Sequence, residues 1–202
     1  MNILFFGDSI TYGEHDEQGG GYVDILKRYC HQISRVNKTR EINCFNLGIG
    51  GETTEGALKR FETEIKSRIS GDEIIIFISY GANDLAQKDG KFLVDKIQFE
   101  SNYSELIRIS KNYSRKVYAI NILPISKSVD NVEIPNRKFR NDETIQSYNQ
   151  IIEKLAKESD IHFIDLYSVF EQNKEDYLSN DGVHPNSKGY NFIANQLKPI
   201  ID

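Results

Sequence analysis

Short apolar runs alternate along the chain with longer amphipathic stretches, which is the pattern of β/α units built around a parallel sheet. Strands are expected at residues 3–6, 42–46, 74–79, 117–121 and 162–165, each bounded by turn residues or charge. Between them the apolar spacing predicts helices near 21–36, 54–70, 99–111 and 143–158, with a last one at 187–197. Thr53 or Thr54 is placed to cap the second helix and Asn186 or Ser187 the last, because short oxygen-bearing side chains accept from orphan backbone N–H groups. The expected architecture is α/β: a three-layer α/β/α sandwich with a five-stranded parallel sheet. Right-handed crossovers put the carboxyl ends of all strands on one edge, so Ser9, the 46–53 and 79–85 segments and the loop beyond Asn121 converge there.

A chain of 202 residues suits a single domain spanning 1–202, large enough to bury a core without metal or disulfide staples. Its net charge of −5 offers no broad basic surface, which argues against nucleic acid as a partner. Cys30 and Cys44 have neither CxxC spacing nor a nearby histidine pattern suited to zinc, so both are expected to be reduced, part-buried thiols. The first strand begins at residue 2 or 3, leaving no room for a signal peptide, and no apolar run approaches membrane-spanning length. The expectation is a cytoplasmic protein with no stable membrane insertion.

Four blocks at strand ends carry chemistry. The first is Leu4-Phe5-Phe6-Gly7-Asp8-Ser9-Ile10-Thr11, where an apolar strand stops at Gly-Asp-Ser. Ser9 then sits where open α/β folds place ligands and is a candidate nucleophile, although the same letters also write an ordinary helix cap. The second block, Asn46-Leu47-Gly48-Ile49-Gly50-Gly51-Glu52-Thr53, lets the backbone turn sharply near a ligand but lacks the GxxxxGK[ST] phosphate-binding pattern. In the third, Tyr80-Gly81-Ala82-Asn83-Asp84, Asn83 alone would read as a cap or Asx-turn. In the fourth, Asn180-Asp181-Gly182-Val183-His184-Pro185, the spacing lets Asp181 reach the Nδ1–H of His184, leaving Nε2 as a general base; the alternative is a surface turn with an incidental histidine.

Together the four blocks, in this order from Gly7 to Pro185, resemble the GDSL or SGNH hydrolase superfamily of lipases, acylhydrolases and esterases. Isoleucine at position 10 stands where the family's name has leucine. The resemblance implies a flavodoxin-like SGNH fold, Ser9 as nucleophile, and Asp181 and His184 completing a triad. It further implies an oxyanion hole made by the Ser9 and Gly51 N–H groups and the Asn83 side chain, with Gly51 located by counting from Asn46. The implied substrate is a small-molecule ester cleaved through an acyl-enzyme, with no cofactor and no metal. Lysophospholipase or thioesterase chemistry would use the same site.

Other polar residues carry duller expectations. Asp8 and Asp84 are expected to hold structure by hydrogen bonding, and Glu14-His15-Asp16-Glu17 to form a solvated loop bordering the site in preference to a metal site. His31 and His162 have no motif around them, and Tyr12 suits either a pocket wall or aromatic packing. The 123–140 connection, with Pro124, Pro135, Lys127, Asp130, Glu133, Arg137, Lys138 and Arg140, is long for a βα loop; with 85–98 it is expected to determine the substrate. Its mixed polarity favours small polar or short-acyl esters, including acetyl groups on sugars, over long-chain triglyceride. Two readings from other classes share the fold: a flavodoxin-like nucleotide or flavin binder, and a catalytically silent binding protein.

Overall fold

The apolar runs pair into one sheet in the computed structural model, which describes residues 1–37, 41–69, 73–133 and 138–201. Strands β1 (Asn2–Gly7), β2 (Asn43–Gly48), β3 (Ile74–Ser79), β6 (Lys116–Ile120) and β7 (His162–Ile164) form a parallel sheet in the order β2-β1-β3-β6-β7. Two short strands, β4 (Gln87–Lys88) and β5 (Lys91–Phe92), make a separate antiparallel hairpin. Strand β1 lies between β2 and β3, with Phe5 opposite Asn46 on one side and Phe77 on the other. Because it is covered on both faces, β1 is apolar without alternation and every one of its residues is buried.

Alternate side chains of the sheet feed two cores. Leu4, Phe6, Ile76 and Ile78 pack with Phe61 of helix α3 (Thr54–Lys66), Leu106 of α4 (Lys96–Lys111) and Ile152 of α5 (Asp142–Glu158). Ile3, Phe5, Ile75 and Phe77 face the other way, onto Leu26 of α2 (Gly21–Asn37) and Ile193 and Leu197 of α8 (Ser187–Ile201). Three short helices, α1 (Ser9–Tyr12), α6 (Leu166–Glu171) and α7 (Lys174–Tyr177), complete the described elements. The result is the expected three-layer α/β/α sandwich with a five-stranded parallel sheet.

Departures from the expected boundaries have local causes. Helix α4 starts at Lys96, three positions before the predicted Phe99, because Asp95 caps it by accepting from the Gln98 N–H at 3.0 Å. Helix α8 continues past Leu197 through Pro199, which falls in its last turn. Asn186 caps α8 through Gly189 N–H at 3.1 Å, as expected. Thr53 occupies the cap position of α3 without a side-chain bond, while the Thr54 hydroxyl is drawn to Asp84 at 2.5 Å. Helix α3 ends at Lys66, short of the predicted 70, because the Ser67 N–H turns to the Thr63 and Ile65 carbonyls and closes the last turn; Ser70 itself, and Pro135 and Arg137 of the long connection, lie outside the described residues. Cys30 and Cys44 are reduced, as expected, and more deeply buried than expected, with the Cys44 thiol donating to Cys30 Sγ at 3.4 Å. Among the described residues no helix is long and apolar enough to cross a membrane.

Candidate active site

Strand β1 ends at Gly7, beside the point where the sheet's strand order reverses. A Cβ at Gly7 would lie 2.8 Å from the Ser79 carbonyl and closer still to Thr11, so only glycine lets the chain fold back so tightly. Asp8 then accepts from the Ile10 N–H at 3.0 Å and caps α1, which makes Ser9 the first helical residue at the sheet's carboxyl edge.

From Ser9 a line of hydrogen bonds runs to the far end of the chain. Ser9 Oγ is 2.8 Å from His184 Nε2, and His184 Nδ1 is 2.5 Å from Asp181 Oδ2. The other carboxylate oxygen of Asp181 accepts from Ser179 Oγ at 2.7 Å, Val183 N–H at 2.9 Å and His184 N–H at 3.0 Å. Burial alone would raise the Asp181 pKa, but the bonds from His184, Val183 and Ser179 outweigh it and hold the carboxyl well below its usual range. A carboxylate fixed in this way keeps the histidine proton on Nδ1 and leaves the Nε2 lone pair for the Ser9 hydroxyl. The turn bearing both residues is itself anchored: Ser179 N–H donates to His184 O at 2.8 Å and Ser126 N–H to Gly182 O at 2.9 Å.

Gly51 and Asn83 line the same cavity as Ser9 and His184, about 400 Å³ in volume. Gly51 has φ of +75°, and a Cβ there would meet nothing within 4 Å, so its backbone borders open space. The buried Asn83 donates from Nδ2 to Glu52 O at 3.2 Å and accepts at Oδ1 from Lys138 Nζ at 2.9 Å. The loop carrying Gly51 and Glu52 is tied to α3: the Glu52 carboxylate pairs with Arg60 and accepts from Tyr80 Oη at 2.8 Å, and Arg60 donates to Leu47 O at 2.6 Å.

Asp8 and Asp84 stand behind these groups and do structural work. Asp84 is fully buried and accepts from both the N–H and hydroxyl of Thr54, tying the start of α3 to the loop after β3. Burial lifts each carboxyl's pKa from 3.8 to about 6. Tyr12 is exposed and contributes nothing to the cavity lining, and His31 is exposed on α2. His162 stacks on Tyr118 with ring centroids 4.6 Å apart, away from the cavity.

The 14–17 loop is more involved than a solvated border. Asp16 accepts from Ser187 Oγ at 2.6 Å and Gly21 N–H at 3.0 Å, fastening the loop to α8 and α2. That fastening lays the His15 ring parallel to His184, with centroids 4.8 Å apart and planes at 16°, and puts its Nε2 3.6 Å from Asp181 Oδ2. His15, Asp181 and His184 each offer a ligand atom within 4.8 Å of the others, but Asp181 and Ser9 already engage both ring nitrogens of His184. A cation there would have to displace the serine or the aspartate. Lys138 and Arg140 also line the cavity. Their i, i+2 spacing in an extended segment was the one sequence signal for a shared face, whereas no local pattern marks His15 as a partner of residue 184.

Residues 5–192 match the family model described as GDSL-like Lipase/Acylhydrolase. The chain is 28% identical over 208 residues to the isoamyl acetate-hydrolyzing esterase of Saccharomyces cerevisiae, covering 99% of this chain and 85% of that protein. Among solved structures, the lipase/acylhydrolase from Enterococcus faecalis superposes with a TM-score of 0.77 at 27% identity, over 99% of this chain and 94% of that one. An acetyl xylan esterase superposes equally well, with a TM-score of 0.77 at 25% identity over 100% of both chains.

Proposed function

The chain belongs to the GDSL-like lipase/acylhydrolase family and is a carboxylic ester hydrolase, and from that premise we propose that it works through an acyl-enzyme on Ser9. The observation that carries this reading is the unbroken line Ser9 Oγ to His184 Nε2 to Asp181 Oδ2, opening onto the cavity that Gly51 and Asn83 border.

His184 takes the Ser9 proton at Nε2 as Oγ bonds to the ester carbonyl carbon, and Asp181 stabilises the imidazolium that forms. The electron pair displaced onto the carbonyl oxygen is met by the N–H groups of Ser9 and Gly51 and by the Asn83 amide. Collapse of this intermediate expels the alcohol, which leaves with the proton from His184. Water then enters, gives a proton to the same nitrogen and bonds to the acyl carbon; this second tetrahedral intermediate collapses with cleavage of the bond to Ser9 Oγ, which takes the proton back from His184 as the acid leaves. These steps use neither metal nor organic cofactor.

The preferred substrates are short-acyl esters, including acetyl groups on carbohydrates. A cavity of about 400 Å³ suits a short acyl chain, and two of the similar proteins are named for acetate esters. A series of p-nitrophenyl esters of increasing chain length, followed by acetylated sugars, tests this. Acetate and butyrate should be turned over best; a strong preference for long acyl chains or for acyl thioesters would replace this substrate reading. A fluorophosphonate probe should label Ser9, and a folded protein that resists labelling would remove the acyl-enzyme.

A further inference from the structure

Phe139 is hydrogen-bonded to Gln87 in both directions, N–H to O and O to N–H, each at 2.9 Å, so this segment docks against β4 through one antiparallel bridge. Extended backbone alternates its faces, so the flanking Lys138 and Arg140 share the side opposite Phe139. That side is the cavity holding Ser9 and His184.

Both cations are presented without a matching anion. Lys138 Nζ donates to Asn83 Oδ1 at 2.9 Å, which leaves two of its three hydrogens. Arg140 donates from Nε to Ala82 O at 3.2 Å, and its two terminal nitrogens have no protein partner among the described residues. Neither residue makes an ion pair with a described carboxylate, whereas Arg60 of α3 is paired with Glu52. The surrounding charges are of both signs. Asp8 attracts both Lys138 and Arg140 from beyond contact, Asp181 likewise attracts Arg140, Lys88 adds repulsion to Lys138, and Glu14 stands nearer the histidine, 3.4 Å from His184 Nε2. Burial and then the nearby guanidinium hold the Lys138 ammonium below the usual lysine range, and burial likewise lowers Arg140. Two partly desolvated like charges side by side are unfavourable until an anion arrives between them.

We propose that this site selects esters that carry an anionic group, seated on Lys138 and Arg140 while the ester carbonyl faces Ser9. The planar guanidinium and the ammonium together suit a carboxylate. This rests on the ester-hydrolase reading above and adds the substrate's charge class.

The test compares esters of matched skeleton with and without a terminal carboxylate. In the acyl arm, p-nitrophenyl hemisuccinate is set against p-nitrophenyl butyrate; in the alcohol arm, 4-acetoxybenzoate is set against 4-acetoxybenzamide. One arm should show kcat/KM about tenfold or more in favour of the anion, the range expected for hydrogen bonds to charged groups, and the arm that does so reveals which side carries the charge. That preference should shrink as ionic strength rises, a readout that needs no variant. Lys138→Gln and Arg140→Gln should each lower the anionic-to-neutral ratio, and Arg140→Lys, which keeps the charge, should retain more of it. If neutral esters are hydrolysed and neither arm prefers the anion, the inference falls while the hydrolase reading stands. Hydrolysis of no ester at all would overturn both.

Discussion

Lys138 donates to Oδ1 of Asn83 at 2.9 Å and thereby fixes which way the asparagine amide points. With oxygen held by the ammonium, Nδ2 donates to the Glu52 carbonyl at 3.2 Å and to Asp8 Oδ2 at 3.5 Å, and the second, longer bond is the one a developing oxyanion would take over. Asn83→Ala should lower kcat by about 10²–10³ with KM less affected, the usual loss for one oxyanion donor. Steady-state kinetics on p-nitrophenyl acetate check this. A change in KM alone would make Asn83 a substrate-binding residue instead.

Ser9→Ala should abolish nearly all esterase turnover while leaving the fold intact. Among the described residues Ser9 Oγ has His184 as its one side-chain partner, so removing the hydroxyl leaves a histidine that still bonds Asp181. The variant should keep the wild-type circular dichroism spectrum and lose both hydrolysis and fluorophosphonate labelling. A folded, active Ser9→Ala protein would move the nucleophile elsewhere.

The sheet was legible because β1 and β3 are buried on both faces and therefore read as unbroken apolar runs, ending at glycine or polar turns. The approach of Asp181 to His184 was legible because a three-residue spacing writes a local geometry, whereas the pairing of Ser9 with His184, 175 positions away, was implied only by the family resemblance of the four blocks together. What could not be read locally depends on contacts between distant segments. Nothing near Phe139 announces its pairing with Gln87, and only that pairing aims Lys138 and Arg140 into the cavity. Similarly, His15 comes to lie over His184 through the bond between Asp16 and Ser187, 171 positions apart. Helix α1 escaped notice because four residues give no periodicity to detect.

Gly48, the last residue of β2, and Gly51, in the loop that follows, should respond unequally to alanine. A Cβ at Gly48 would sit 2.2 Å from Tyr12 N and 2.8 Å from Asp8 O, both backbone atoms of the turn that presents Ser9. Backbone cannot step aside as a flexible side chain does, so Gly48→Ala should cost about 3 kcal/mol or more and disturb Ser9 as well. At Gly51 the space is open and only the positive φ of 75° opposes a side chain, a cost of roughly 1–2 kcal/mol that leaves the N–H in place. Thermal melts and kcat should therefore both fall steeply for Gly48→Ala, and Gly51→Ala should stay folded with a smaller loss. Equal effects at the two positions would mean that the close approach of Gly48 to α1 does not matter.

Asp84 should make the protein less stable as pH rises through the mildly acidic range. It is fully buried, Oδ1 is satisfied by Thr54, and Oδ2 has no partner among the described residues, so the charged form is poorly accommodated and burial lifts the pKa from 3.8 to about 6. A carboxyl with a higher pKa folded than unfolded holds its proton better in the folded state. Its contribution is thus fully present below about pH 4 and is lost as pH rises through about 6. Asp84→Asn keeps an acceptor for Thr54 and never ionises, and any penalty for placing its amide nitrogen where Oδ2 stood is the same at every pH. The unfolding free energy of the variant minus that of the wild type should therefore increase between pH 4 and pH 8, by about 3 kcal/mol at most for a shift of this size. Urea denaturation at both pH values measures it. A difference that does not change with pH would show that Asp84 does not take up a proton in this window, leaving Asp8, lifted to about 6 in the same way, to account for any slope that the wild type retains.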